Sequence, residues 1–510
     1  MKKSVFLVVL IPFLLFYAMP TGAAEKEGRE WQDEVIYSIM VDRFNNGSSE
    51  NDKNLDVDDL TAYNGGDFAG ITKKLDYLKD MGFTAIWLTP IFDNEEGGYH
   101  GYWINDFYKT EEHFGTIEEF KTLVKEAHDR DIKVILDFVV NHVGPNHPFV
   151  SDPEKKDWFH EKKEITNWKD QEEVENGWIY NLPDLNQDNP ETSDYLIDAA
   201  KWWINETDID GYRLDTVKHV PKTFWTKFAS AVKEEKKDFF LIGEVWDKDP
   251  AVIASYQDTG IDGFMDFAQN DSQRTAFQKT DQSLSWLFSN LERNETMFNK
   301  PELLGQFIDN HDMSRFTSLA AANNNHPGTR WKQSLAYMYT TPGIPIIYYG
   351  SEIALNGGED PDNRKLMDFR TDKELIEYIT TLGRLRAELP ALTRGDTKLL
   401  YEKDGMAVFT RTYQDETIVV ALNNTKETQT VVLEKGMIEK DKELKGLLQG
   451  DLVRSEGDTY KIIIDREESE IYALTDKTGI NKTFLFAIAG ILVLFAIFIV
   501  MLIKRAKRKE

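Results

Sequence analysis

The 510-residue chain has no cysteine at all. Disulfides, thiol nucleophiles, thiolate zinc sites and iron–sulfur clusters are therefore excluded. It is also poor in basic charge, with 60 Lys and Arg against 88 Asp and Glu and a formal net charge of -28. A field of that sign repels phosphate backbones, which excludes nucleic acid as a partner. It does not deter a neutral polymer, and carboxylates are good Ca2+ ligands. Internal repeats and low-complexity tracts are absent. With 41% hydrophobic and 12% aromatic residues the chain can bury large cores, and its length calls for two or three domains.

Long apolar runs occur only near the two ends. Met1-Lys2-Lys3, the apolar residues 5–18 and Thr21-Gly22-Ala23-Ala24 read as a secretory signal cleaved after Ala24, with a retained anchor as the alternative. Residues 484–503 carry no charge and are followed by Lys504-Arg505 and further basic residues to Lys509. That pattern predicts a helix spanning the lipid bilayer, with the basic tail inside and the large domain outside the cell. The expected location is therefore the cell membrane, by a single pass.

Eight short apolar runs fall at 35–41, 83–88, 133–140, 209–215, 239–245, 263–267, 305–309 and 344–349. Helix-period patterns lie between most of them, for instance 117–129 and 193–204. Eight strands alternating with helices predict an α/β protein built on a (β/α)8 TIM barrel, with a doubly wound open sheet as the alternative. The stretch 266–301 does not resolve into clear helices by pattern. The interval after the third run is about twice the length of the others and rich in Pro, Asn, Asp and Trp, which predicts a small inserted domain. Beyond Arg394-Gly395, strand-like runs at 407–412, 417–422, 430–433 and 460–464 predict a C-terminal antiparallel β-sandwich. Val419–Ala421 with Asn423-Asn424 reads as a hairpin edge. The expected order is signal 1–24, barrel 25–141, insertion 142–190, barrel 191–394, sandwich 395–474, tether 475–482, one C-terminal transmembrane helix 483–503 and basic tail 504–510.

Three acidic residues each close one of the apolar runs: Asp215, Glu244 and Asp312. In a (β/α)8 barrel the C-terminal ends of the strands are where chemistry is done. Converging carboxylates suit the cleavage of an acetal, which needs a nucleophile, a proton donor and charge to stabilise an oxocarbenium-like transition state. Arg213 and Asp215 share one strand face, and a cation beside a carboxyl favours its charged form, as a nucleophile requires. Glu244 sits among Gly243, Val245 and Trp246, where burial would favour the protonated form. Each feature alone has an ordinary structural explanation. Their ordered combination is far more specific: Asp-x-x-x-Asn-His (Asp137, Asn141, His142), Gly-x-Arg-x-Asp-x-x-Lys-His (Gly211 to His219), Gly-Glu-x-Trp (Gly243 to Trp246) and Phe-x-x-x-His-Asp (Phe307 to Asp312).

On these segments, and on Leu182-Pro183-Asp184-Leu185-Asn186 as a fifth, the chain resembles the α-amylases of glycoside hydrolase family 13. The resemblance runs from about Trp31 to Leu474. It implies endo-hydrolysis of α-1,4-glucans to maltose and maltooligosaccharides. Asp215 would be the nucleophile, Glu244 the general acid/base and Asp312 the transition-state stabiliser. Tyr102, His142, Arg213 and His311 would surround the sugar at the cleavage point. Asp360 and Arg364, in Asp-Pro-Asp-Asn-Arg, would contact the same ring, and Lys218 and His219 would lie on the leaving-group side. His100, within Tyr99-His100-Gly101-Tyr102-Trp103, belongs to an aromatic face for stacking on sugars.

The resemblance also implies one Ca2+ held by Asn141, Asp184 and the carbonyl of His219. A second site would use Asn46, Asn51, Asp52, the Gly65 carbonyl and Asp67, although Ser48 stands where that pattern often has Asn. A retaining mechanism implies carboxyls of Asp215 and Glu244 about 5–5.5 Å apart. The runner-up activity is transglycosylation, as in 4-α-glucanotransferases and cyclodextrin glucanotransferases. A different class is a non-catalytic amylase-like membrane ectodomain, which would generally lack the full carboxyl set.

Overall fold

The computed structural model describes residues 28–371, 373–477 and 482–506. The expected signal, 1–24, and residues 478–481 and 507–510 of the expected tether and tail lie outside the described residues.

Eight parallel strands form the catalytic core: β1 (Ile36–Ile39), β2 (Ala85–Leu88), β3 (Lys133–Phe138), β4 (Gly211–Leu214), β5 (Phe240–Gly243), β6 (Gly263–Phe264), β7 (Gly305–Gln306) and β8 (Ile344–Tyr348). Each pairs with the next, β8 returns to β1, and a parallel bridge between Met265 and Gly305 joins β6 to β7. The sheet is therefore a closed barrel, and each strand lies within one of the eight predicted runs. Alternation along the strands sorts the side chains. Ile36, Ala85, Trp87, Ile135, Phe240, Ile242, Phe307 and Ile346 fill the interior, while Tyr37, Ile86, Leu88, Val134 and Leu136 pack outward under the helices. Both faces are buried, which is why the strands read as continuous apolar runs. The barrel centre is tight: a Cβ on Gly305 would stand 2.7 Å from Ile346 Cδ1 and 2.9 Å from Ile242 Cδ1.

The helices end where their sequences dictate. Ile117–His128 starts at a capping box formed by Thr116 and Glu119 and buries Phe120, Leu123, Val124 and Ala127 on one stripe. The stretch 266–301 holds two helices, Phe267–Phe277 and Ser285–Met297. Their apolar faces are interrupted by buried Gln269, Asn270, Gln273, Asn290 and Asn294, which explains why periodicity did not reveal them. Residues 142–190 contain short helical turns and isolated bridges rather than a regular sheet. Backbone bonds from Leu185 to the Asn141 carbonyl (2.7 Å) and from Val143 to the Pro183 carbonyl (3.2 Å) fasten them beside the end of β3.

The C-terminal region is a six-stranded antiparallel sheet faced by the pair Gln429–Leu433 and Tyr460–Ile464. In its central strand, Glu416–Asn423, Val419 and Ala421 join Val431, Leu433 and Ile462 in the sandwich core, while Ile418, Val420 and Leu422 pack toward the barrel. The hairpin-edge reading of Val419–Ala421 is therefore corrected, because that strand lies between Met406–Tyr413 and Ser469–Asp476. Asn423 and Asn424 are buried anchors: Asn424 Nδ2 donates to the Ala276 carbonyl (2.9 Å) on the barrel side.

The membrane-spanning helix expected at 483–503 is also corrected. Among the described residues no helix is long and apolar enough to cross a membrane. A helix does run Lys482–Ala506.

Arg330, fully buried, joins barrel to sandwich by donating to Asn424 Oδ1 (2.5 Å) and Glu467 Oε2 (2.8 Å). Removing one partner of a buried ion pair strands the other. Arg330→Met is expected to destabilise the protein by roughly 3 kcal/mol, read as a lower thermal midpoint by calorimetry; an unchanged midpoint would show that the joint contributes nothing.

Candidate active site

One guanidinium organises the mouth of the barrel. Arg213, near the end of β4 and only 1% exposed, donates through Nη1 to both oxygens of Asp137 (3.0 Å each) and to Asp215 Oδ1 (2.7 Å). Its Nη2 also lies against Glu244 Oε1. The sequence places these groups by strand alternation: Asp137 on β3 and Arg213 on β4 are paired neighbours, and Glu244 follows β5. Trp87 of β2 lies beneath, its ring 5.0 Å from the guanidinium carbon and its Nε1 donating to Asp137 Oδ2 (3.3 Å). Glu244 Oε2 accepts the Thr216 backbone N–H (3.1 Å), while Asp215 Oδ2 is buried without a donor.

A second cluster faces the first. Tyr102 donates to Asp137 Oδ2 (2.7 Å) and stacks on His311, with ring centroids 5.1 Å apart. His311 Nε2 lies 3.0 Å from Asp312 Oδ2. Arg364 donates to Asp312 Oδ1 (3.2 Å) and pairs with Asp360 (3.0 Å). His142 and His100 are buried in the same wall.

Electrostatics separate the three carboxyls. Burial pushes Glu244 up to about 8, against the opposing pull of Arg213, so it is protonated at neutral pH. Asp312 has a side chain one-third exposed, and the neighbouring His311, Arg364 and Arg213 outweigh the effect of burial. They hold it well below the usual carboxylate range. Burial raises Asp137 to about 6, with Arg213 opposing. It lowers His142, and takes His100 to about 3, so both imidazoles stay neutral. The arrangement offers a proton donor, a carboxyl oxygen free of donors and a fixed anion at one end of the barrel.

The structure thus brings together Asp215, Glu244, Asp312, Arg213, Tyr102, His100, His142, His311, Asp360 and Arg364. Lys218 pairs with Asp247 (2.8 Å), and His219, close enough to Asp215 and His142 to feel their charge, has Nδ1 3.2 Å from the Val174 carbonyl of the inserted segment. Sequence reasoning noted Asp137 but gave it no place in the site. Its position opposite Asn141 and His142 in one motif was the available signal. Trp87 carried no signal beyond an apolar strand residue.

Asn141 Oδ1 and Asp184 Oδ1 are buried and lack hydrogen-bond donors, as oxygens waiting for a hard cation would be. Asp184 Oδ2 is taken by His160 Nδ1 (2.6 Å). Among the described residues no group of three or more His, Cys, Asp or Glu could hold an ion, so such a site would also draw on amide and carbonyl oxygens. The second set fits less well. Asn46 and Asp52 meet beside Gly65 (Nδ2 to Oδ1, 2.8 Å), but Asp67 spends its carboxylate on the backbone N–H groups of Gly47, Ser48 and Gly70, capping the helix Phe68–Thr72. Asn51 Oδ1 in that set is buried and unpartnered.

Known proteins resemble the chain over most of its length. The profile of the alpha-amylase catalytic domain matches residues 38–387, and that of the alpha-amylase C-terminal domain matches 395–472. Among solved structures, an alpha-amylase from Anoxybacillus is 64% identical with a TM-score of 0.88, covering 89% of this chain and 100% of that one. The alpha-amylase of Geobacillus thermoleovorans, solved with acarbose, is 60% identical with a TM-score of 0.86, covering 88% of this chain and 100% of that one. The beta/alpha-amylase of Paenibacillus polymyxa is 39% identical over 417 residues, 79% of this chain. This chain spans only 34% of that relative's length.

Because the folded protein raises Glu244 to about 8, it holds that proton across a range where an unfolded glutamate has lost it. The group's stabilising contribution is complete below the unfolded value and is lost as pH rises through about 8. Thermal midpoints of wild type and Glu244→Gln, compared from pH 5 to 9, are expected to diverge with rising pH, the wild type losing more. Parallel curves would contradict a raised Glu244.

Proposed function

The chain belongs to the alpha-amylase family of glycoside hydrolases, and from that membership we propose that it hydrolyses internal α-1,4-glucosidic bonds of starch and related glucans. The products would be maltose and short maltooligosaccharides. The observation that carries the reading is Arg213 bridging Asp215 and a protonated Glu244 in one buried cluster. The relative solved with acarbose supports a glucan-like ligand for this cleft.

The reaction follows from the states of the three carboxyls. Glu244, protonated, delivers its proton to the glycosidic oxygen as Asp215 attacks the anomeric carbon through its donor-free Oδ2. The leaving chain departs as an alcohol, and a covalent glycosyl-enzyme remains on Asp215. Glu244, now a carboxylate, takes a proton from water, which attacks the same carbon and releases Asp215. Two inversions retain the configuration. Asp312, ionised, faces the positive charge that develops on the ring, and Arg364 and His311 fix it in place. Buried neutral His142 can hydrogen-bond a sugar hydroxyl without adding charge.

Ca2+ at Asn141, Asp184 and the His219 carbonyl would act structurally, tying residues 142–190 to the barrel. The signal-like residues 1–24 support an extracellular enzyme.

Two measurements test this. With soluble starch, wild type is expected to yield products that appear first as the α-anomer by NMR, and Glu244→Gln to lose about 10²–10⁴-fold in kcat/KM. Initial β-anomer, or cyclic products with few new reducing ends, would overturn the retaining hydrolase. Chelation is expected to lower the wild-type thermal midpoint by about 5 °C and to leave Asp184→Asn unmoved; a wild type indifferent to chelation would remove the cation from the account.

A further inference from the structure

Helix Phe267–Phe277, which follows β6, carries none of the residues assigned to the sugar, yet one of its faces grips the turn that presents His311 and Asp312. Asn270 Nδ2 donates to the Phe307 carbonyl (2.9 Å). One helical turn later, Arg274 Nη1 donates to the Ile308 carbonyl (2.7 Å) and to Asp309 Oδ1 (3.1 Å). Its Nη2 donates to the Ser314 carbonyl (2.8 Å) and hydroxyl (3.3 Å). The four-residue spacing puts Asn270 and Arg274 on one helix face. The planar fork of Arg274 therefore ties together the two ends of the turn, 308 and 314.

The other side of the turn is held too. Asn363 Nδ2 donates to the carbonyls of His311 (2.8 Å) and Met313 (3.0 Å), and Arg364 Nε donates to that of His311 (2.9 Å). Within the turn, the Asp312 N–H donates to Asn310 Oδ1 (3.0 Å). Asp309 Oδ1 also accepts the Phe316 N–H (2.7 Å), so the carboxylate that Arg274 holds starts the next helix, Phe316–Ala322. The carbonyls of 308, 311, 313 and 314 are thus fixed by side chains from two other elements. Asp312 sits on a short turn whose shape is set from outside.

We propose that Arg274 is a positioning residue for the reaction: it sets the 308–314 turn, and through it the place of the Asp312 carboxylate. The inference rests on the reading of Asp312 as the transition-state stabiliser. An anion that stabilises charge must stand where that charge develops, and a displacement of about 1 Å costs on the order of 10²-fold in rate. Substrate binding depends on many other contacts along the cleft, so the loss should fall on kcat. Lysine is a point charge on a flexible stem and cannot bridge both ends of the turn as the guanidinium fork does.

The experiment compares Arg274→Lys, Arg274→Met and Asp312→Asn with wild type, measuring kcat and KM on maltooligosaccharides, inhibition by acarbose and the thermal midpoint. Arg274→Lys is expected to fold, to lose about 10–100-fold in kcat with KM within about threefold, and to bind acarbose correspondingly more weakly. A kcat within twofold of wild type, or a loss confined to the thermal midpoint, would overturn the inference. Should Arg274→Met fail to fold, Arg274→Lys decides alone. Asp312→Asn separates the two levels: wild-type kcat in that variant sinks the site assignment itself, whereas its collapse beside an unaffected Arg274→Lys sinks only the positioning role.

Discussion

The buried guanidinium of Arg213 is the constraint on which the rest of the site depends. A single positive charge, nearly sealed from water, contacts Asp137, Asp215 and Glu244. Three carboxylates around one cation cannot all be ionised at low cost in a desolvated pocket, so the environment must divide protons among them. Glu244, raised to about 8, keeps its proton, and Asp137, raised to about 6, is held by Arg213, Tyr102 and Trp87. Asp312 has His311 and Arg364 of its own, and its charge adds to the rise of Glu244. Acid and anion thus differ because of where they sit, not because of what they are.

The fold supplies that environment in layers. Lower in the barrel, inward positions are Ile36, Ala85, Ile135, Ile242 and Ile346; at its mouth the same alternation delivers Asp137, Arg213 and Asp215. The transition from apolar to charged takes place across Trp87, which touches the guanidinium on one face of the interior. Around the rim, residues 142–190 clamp β3 through Asn141 and Leu185, and Asn363 and Arg274 clamp the turn after β7. The sandwich is joined to the barrel through Arg330 and Asn424.

Much of this was legible in the sequence because parallel strands announce themselves. All eight lie within predicted runs, and the carboxyls that end them converge as a barrel requires. What escaped was contact between elements distant in sequence. Asp137 looks like any strand-end acid until Arg213 is placed beside it on the neighbouring strand. Arg274 lies in a stretch whose buried faces are studded with amides, so periodicity gave no helix there. Asn423-Asn424 has the composition of a turn, yet both side chains are buried, with Asn423 saturating the carbonyls of Glu427, Ile464 and Asp465. The membrane span was inferred from an uncharged run with a basic flank, and no described helix meets the length and apolarity that crossing requires.

The most direct test of the account is to trap its intermediate. A fluorinated maltosyl fluoride, which slows release of the sugar from the enzyme, should add one glycosyl unit to the intact protein by mass spectrometry, and peptide mapping should place it on Asp215. Turnover without any adduct under these conditions, or an adduct on another carboxyl, would contradict the assignment of Asp215 as the nucleophile that Arg213 holds.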